Sequence, residues 1–226
     1  MTESPVPTAT HHHHRADLSI DQRLALRTAA TRLHDEFGEH FGVETIERFL
    51  HSSYDQFAGP ATIPNFLPLL AERWARLRLR ALAIVEGKIT DTKPTVLFLC
   101  THNAGRSQMA LGYFNHLAGE QGVAWSGGSE PGNEINPSAV QAMAEVGIDI
   151  TREFPKPWTD EIVQAADVVV TMGCGDACPF FPGKRYENWE LPDPAGQGVD
   201  AVRPIRDDIE ERVRRLLAEL GINPAA

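Results

Sequence analysis

Cys100 closes an apolar run, Val96-Leu97-Phe98-Leu99, and Arg106 and Ser107 follow it across a five-residue gap. A thiol placed where a buried strand turns into a helix is a nucleophile at the floor of a short loop. The intervening Thr101, His102, Asn103, Ala104 and Gly105 make that loop short enough for its backbone N–H groups to converge on one tetrahedral anion. The positive N-terminal end of the following helix lies behind them. Arg106 adds a planar, permanently charged fork. Such donors favour a thiolate over a thiol, so the chemistry expected is attack by Cys100 on an oxyanion held by residues 101–107. Ser107 can donate a hydrogen bond to the sulfur and Asn103 can pin the loop through backbone groups, both in support of the chemistry. His102 reads as a solvent-facing loop tip. A cysteine ending an apolar strand is usually a small buried hydrophobe, but Arg106 and Ser107 at this spacing argue for reactivity instead.

The chain has only two other cysteines, Cys174 and Cys178, together in Gly173-Cys174-Gly175-Asp176-Ala177-Cys178-Pro179 after a second apolar strand, Val168–Met172. Two glycines weaken a helix there by about 1 kcal/mol each relative to alanine, and Pro179 ends it, so a loop or frayed helix is expected. A disulfide between residues spaced i, i+4 requires Cβ directions that a regular helix does not supply, so oxidation would remodel the segment. Three readings stand on the residues alone: a redox pair, half of a metal site, or two incidental thiols. The C-x-x-x-C spacing departs from the C-x-x-C of common zinc sites, and no metal site is read. Further on, Asp193 stands between Pro192 and Pro194 on a stiffened loop, where a positioned carboxyl can protonate a leaving oxygen. A tight turn with a solvated aspartate is the competing reading.

The run C-T-H-N-A-G-R-S at 100–107 resembles the phosphate-binding loop of the low-molecular-weight tyrosine phosphatases and of the thioredoxin-coupled arsenate reductases built on the same fold. A phosphatase needs one thiol, and this chain carries three. What the reductase resemblance implies is a relay: Cys100 forms an adduct with arsenate, Cys174 attacks the Cys100 sulfur as arsenite leaves, and Cys178 attacks Cys174. The resulting Cys174–Cys178 disulfide would be reduced by thioredoxin, acting as external reductant with no bound cofactor. A small-molecule thiol is the other candidate reductant. The resemblance also matches Asp193 to the general acid of an aspartate-proline element. It places Leu111 where some family members carry a potassium-binding glutamate, so no potassium site is expected. A tyrosine phosphatase using Cys100, Arg106 and Asp193, and a non-enzymatic arsenate or redox sensor, are the alternative functions.

These residues need a scaffold, and 226 residues at 42% hydrophobic content suffice for one average domain and a smaller one. No run reaches the roughly 18 apolar residues of a membrane span, and no signal-peptide pattern is read at the start. A cytoplasmic, monomeric enzyme with reduced thiols is expected. The net charge of −10 argues against nucleic acid or anionic membrane as partner. Residues 93–226 hold 11 Lys+Arg against 19 Asp+Glu, so anion binding there must be local.

Residues 1–17, rich in Pro, Thr and His, read as disordered, and His11–His14 are given no function. Residues 18–90 read as a three-helix domain: helices at about 20–37, 43–57 and 65–86, the first opened by a Ser19/Gln22 capping box. Its expected core is Leu24, Leu33, Phe37, Ile46, Phe49, Leu50, Tyr54, Phe66, Leu69, Leu70 and Trp74. Arg73, Arg76 and Arg80 share a face of the third helix, as a solvated surface or a partner site. This part resembles the helical domain ahead of some actinobacterial arsenate reductases. Residues 93–226 read as an α/β domain of the low-molecular-weight phosphatase kind. Strands at 96–99, 123–127, 168–172 and 185–189 alternate with helices beginning near Arg106, Pro137, Asp160 and Arg203. The expectation is a four-stranded parallel doubly wound sheet of flavodoxin-like order, with Cys100 and Cys174 at strand C-terminal ends, where such sheets bind ligands.

Overall fold

A computed structural model describes residues 18–58, 66–90, 92–173 and 180–224. The stretch 1–17, expected to be disordered, lies outside the described residues. The chain divides between Arg80 and Ala81 into two compact units.

The first unit contains helices α1 (Ile20–Phe37), α2 (Val43–Ala58) and most of α3 (Leu67–Val85). The capping box forms at the start of α1: Gln22 N–H donates to Ser19 Oγ and Ser19 N–H to Gln22 Oε1. Leu26, Ala29, Leu33 and Phe37 recur at helical spacing and are buried, with Ile46, Phe49, Leu50 and Tyr54 of α2 and Leu67, Ala71 and Trp74 of α3. Three expected core residues are instead exposed: Leu24, Phe66 and Leu69. Leu24 precedes Leu33 by nine residues, which at about 100° per residue places it half a turn away. Leu69 sits about 140° from Trp74 by the same count, and Phe66 precedes the first α3 residue. Leu70 is half-buried. Arg76 is not a bare surface charge, because it is paired within the unit. Buried Glu72 accepts from Arg32 Nε at 2.9 Å and from Arg76 Nη2 at 2.9 Å, and Arg76 Nε also donates to Glu36 at 2.7 Å. Burial pushes the Glu72 carboxyl up, but the two guanidinium groups outweigh it and hold the carboxyl below its ordinary value.

The second unit is built on a parallel sheet of order β2-β1-β3-β4: β1 (Thr95–Cys100), β2 (Val123–Gly128), β3 (Val168–Met172) and β4 (Arg185–Asn188). Strands β1 and β3 are central and almost wholly buried, as continuous apolar runs require. Between and after them lie α4 (Arg106–Ala118), α5 (Pro137–Glu145), α6 (Asp160–Ala165) and α7 (Val199–Glu219). Val96, Phe98 and Cys100 share one face of β1 and join a core with α4, α5 and α7. Phe98 meets Phe114 edge-on at 6.0 Å and lies 5.8 Å from the Trp189 ring. The alternate residues Leu97 and Leu99 are fully buried, as are Ile162 and Val163 of α6.

α7 begins at Val199, four residues before the expected start, and contains Pro204. At the sixth helical position, proline removes only the bond that its N–H would give the first-turn carbonyl of Asp200.

Candidate active site

The loop between β1 and α4 is shaped by where its carbonyls go. Cys100 O accepts from Ser129 N–H, Thr101 O from Glu130 N–H, His102 O from Gly132 N–H and Ala104 O from Asn136 N–H, at 2.8–3.3 Å. In a planar trans peptide the N–H opposes its C=O, so tying carbonyls to the 129–136 segment turns the loop's amides to the other side. Asn103 N–H, opposed to the His102 carbonyl, is directed at Cys100 Sγ at 3.2 Å. Asn103 takes φ +48°, a left-handed conformation that asparagine tolerates better than most residues. Gly128 permits this packing, since a Cβ there would lie 2.7 Å from Thr101 O.

Cys100 is 2% exposed, and its sulfur also lies 3.0 Å from Ser107 Oγ. Asn103 Nδ2 donates to that hydroxyl at 2.8 Å, and since an amide NH₂ can only donate, Ser107 keeps its own proton for the sulfur. Arg106 is buried; Nη1 donates to Leu191 O at 3.3 Å and Nη2 lies 3.2 Å from Asp193 Oδ2. The structure thus brings Cys100, Arg106, Ser107 and Asp193 to one place. Thr101 Oγ1 donates to Gly173 O at 3.0 Å, and at Gly173, with φ +77°, a Cβ would lie 2.8 Å from Arg106 Nη1. His102 is exposed, and its Nδ1 donates to Glu130 O at 3.0 Å. Cys174 and Cys178, with the expected frayed segment around them, lie outside the described residues. Among the described residues no group of three or more His, Cys, Asp or Glu is placed to hold a metal ion. Leu111 is buried.

Three polar residues escaped the sequence reading. Asn136 caps α5 through Ser138 and Ala139 N–H, gives its own N–H to Ala104 O, and donates Nδ2 to Pro194 O at 3.0 Å. It thereby ties the nucleophile loop to the loop of Asp193. The Asn-Pro pair at a helix start signals the cap but carries no sign of the bridge. Gln108 and Lys156, both buried under the loop, bond Asn103 through side chain and backbone N–H respectively. A lysine is rarely buried, and nothing local in the sequence marks this one.

A buried thiol with two hydrogen-bond donors, amides turned inward, a guanidinium and a facing carboxyl can bind a tetrahedral oxyanion, attack its central atom and protonate the leaving oxygen. The arsenate reductase of Halalkalibacterium halodurans is 40% identical over 139 residues, covering 57% of this chain and 98% of that protein. Arsenate reductase 2 of Staphylococcus epidermidis is 38% identical over 125 residues, covering 54% and 94%. Among solved structures, the thioredoxin-dependent arsenate reductase of Corynebacterium glutamicum superposes with a TM-score of 0.79 at 42% identity, over 87% of this chain and 96% of that one. A low molecular weight protein tyrosine phosphatase from T. tengcongensis gives 0.52 at 25% identity, over 56% and 99%. Residues 26–83 match a protein-tyrosine-phosphatase-like N-terminal domain. Residues 95–225, which include the Cys100–Ser107 loop and Asp193, match the low molecular weight phosphotyrosine protein phosphatase model, and the chain belongs to that family.

Proposed function

We propose that the chain reduces arsenate to arsenite through Cys100, Cys174 and Cys178, with thioredoxin restoring the thiols. The observation that carries this reading is the junction of β1 and β3. Cys100 pairs with Met172 in register, and Thr101 on the nucleophile loop bonds Gly173, the residue before Cys174 in the sequence. In the sequence Cys174 comes two residues after the end of β3, the strand that pairs with the Cys100 strand.

Each step balances. Cys100 thiolate bonds arsenic(V) while an oxygen departs as water, protonated from Asp193, and residues 101–107 hold the remaining oxygens. Cys174 thiolate then attacks Cys100 Sγ; the sulfur–arsenic pair passes to arsenic, which leaves as arsenite in the +3 state, and a Cys100–Cys174 disulfide remains. Cys178 attacks Cys174, releasing Cys100 thiolate and forming Cys174–Cys178. Two electrons and two protons from thioredoxin reopen that bond. No metal or organic cofactor takes part. No helix among the described residues is long and apolar enough to cross a membrane, and three thiols that must be reduced suit the cytoplasm, with the enzyme acting as a monomer.

The test is arsenate-dependent NADPH oxidation coupled through thioredoxin and thioredoxin reductase. Cys174→Ser and Cys178→Ser should each abolish turnover while hydrolysis of an aryl phosphate by Cys100 survives, and mass spectrometry after turnover should show residues 174 and 178 bridged. Wild-type protein that hydrolyses the ester but consumes no NADPH with arsenate is a phosphatase, and the proposal fails.

A further inference from the structure

Lys156 is 3% exposed, a buried ammonium with no part in the steps above. Its Nζ donates to Phe154 O at 3.2 Å, lies 3.5 Å from Glu153 Oε2 and sits 4.8 Å above the Phe154 ring. Its backbone N–H donates to Asn103 Oδ1 at 3.0 Å. Gln108, fully buried on α4, directs Nε2 at three oxygens: Asn103 O at 3.0 Å, Asn103 Oδ1 at 3.1 Å and Phe154 O at 3.2 Å. Since all three are acceptors, the Gln108 amide has one workable orientation. Among the described residues its Oε1 is buried with no hydrogen-bond partner, so the amide is held by its donor side.

Those donors decide which way the Asn103 side chain faces. A backbone N–H can only donate, so Lys156 N–H and Gln108 Nε2 together demand an oxygen, and Asn103 must turn Oδ1 to them and Nδ2 to Ser107. Were the amide reversed, Oδ1 would face Ser107 Oγ and draw the hydroxyl proton away from Cys100 Sγ. We propose that Gln108 and the Phe154–Lys156 segment form a buried brace that fixes the polarity of the chain Asn103→Ser107→Cys100 and so keeps a hydroxyl donor on the nucleophilic sulfur. Lys156 acts by clamping the segment through Phe154 O and Glu153; Gln108 acts on Asn103 directly. Both are positioning residues. The proposal rests on the reading of Cys100 as nucleophile and is independent of the fate of arsenate.

The experiment follows alkylation of Cys100 by iodoacetamide against pH in Cys174→Ser/Cys178→Ser protein, where Cys100 is the single thiol. Among the described residues, the charged and titratable groups on the loop and the segments beside it include His102 and Arg106, Glu130 and Glu134 after β2, Arg152, Glu153 and Lys156, and Asp193. All but Lys156 are kept in every variant, and Gln108→Met keeps Lys156 as well, so a shift in that variant is free of any change in charge. Lys156→Met and Gln108→Met, each folded by circular dichroism, should slow alkylation at neutral pH about threefold singly and about tenfold together, with the midpoint moving up by up to about one pH unit. Lys156→Arg should restore the parent profile. Loss of stability alone would not move that midpoint, so folded variants whose profiles superimpose on the parent overturn the proposal. Should the methionine variants not fold, the unaltered protein still decides: the Asn103 side-chain amide must show slowed hydrogen exchange by NMR, and exchange as fast as an exposed asparagine overturns the brace. Because arsenate appears in neither measurement, a failed reductase reading leaves this outcome distinguishable.

Discussion

Gly105 is the residue whose replacement reports most directly on how the two loops meet. A Cβ there would lie 2.7 Å from Pro194 Cγ, whereas ordinary contact begins at about 3.4 Å, so alanine must open the junction by about 0.7 Å. The backbone at Pro194 is anchored, because its carbonyl accepts from Asn136 Nδ2 at 3.0 Å and from Gln197 N–H at 3.1 Å. The loop must move as a unit, carrying Asp193 from 3.2 Å to about 4 Å from Arg106. If Asp193 is the proton donor, as proposed, a displacement near 1 Å there costs as much as ~100-fold in rate, and the overpacking costs about 1–3 kcal/mol in stability. Gly105→Ala should therefore lower thioredoxin-coupled arsenate turnover by about 30- to 100-fold while Cys100 alkylation changes less than threefold. Gly105→Ala/Pro194→Ala, which removes the clashing ring atom, should recover part of the loss, a coupling readable from the double-mutant cycle. Turnover within threefold of wild type would refute the claim that loop spacing governs the acid. Alkylation falling in parallel with turnover would show that the nucleophile loop itself had collapsed.

Asn136→Ala loses a helix cap and the bridge from Ala104 to Pro194 together. About 1 kcal/mol of stability should go with the cap, and turnover should fall by more than that alone explains, as separate thermal melts and steady-state rates would show. Glu72→Ala should cost about 1–2 kcal/mol by denaturant titration. That is less than the 3–5 expected of a wholly buried pair, because the side chains of Arg32 and Arg76 are 55% and 36% exposed. Since the folded Glu72 carboxyl lies below its ordinary value, its contribution is present above about pH 4.3 and fades as pH falls through the folded value; the acid limb of the melting temperature should flatten in Glu72→Ala. Arg106→Lys keeps the charge but loses the planar fork that spans Leu191 O and Asp193, so turnover should fall at least tenfold at saturating arsenate.

The sequence makes the nucleophile loop legible because its chemistry is local: thiol, amides, arginine and serine fall within eight consecutive residues, and the buried strand before them reads as an apolar run. Parallel central strands announce themselves in the same way, which is why β1 and β3 are placed to within a residue. What stays hidden is chosen by tertiary neighbours. Leu24 looks like core until the spacing of Leu26, Ala29, Leu33 and Phe37 settles which face of α1 turns inward. Arg76 reads as surface because Glu36 and Glu72 are 40 and four residues away, and only the folded helices bring the former near. Lys156 and Gln108 look like ordinary polar residues because their partner, Asn103, sits 53 residues from one and on the preceding loop from the other.

An acidic chain that binds an anion poses an apparent conflict, which the loop resolves without a surplus of cations. The field at Cys100 comes from fixed dipoles: carbonyls drawn outward to the 129–136 segment leave amides turned the other way, and the start of α4 adds its own. Dipoles act at contact distance, while the net charge of −10 acts across solvent and is screened beyond about 8 Å at physiological salt. The same separation of ranges accounts for the placing of Asp193. A carboxylate 3.2 Å from Arg106 would oppose an incoming oxyanion if the guanidinium were the main source of attraction. In the proposed mechanism, amides share the field with Arg106, which then holds the loop of Asp193 and faces the anion at once, so the proposed proton donor and the proposed oxyanion cup share a residue without competing for the whole of it.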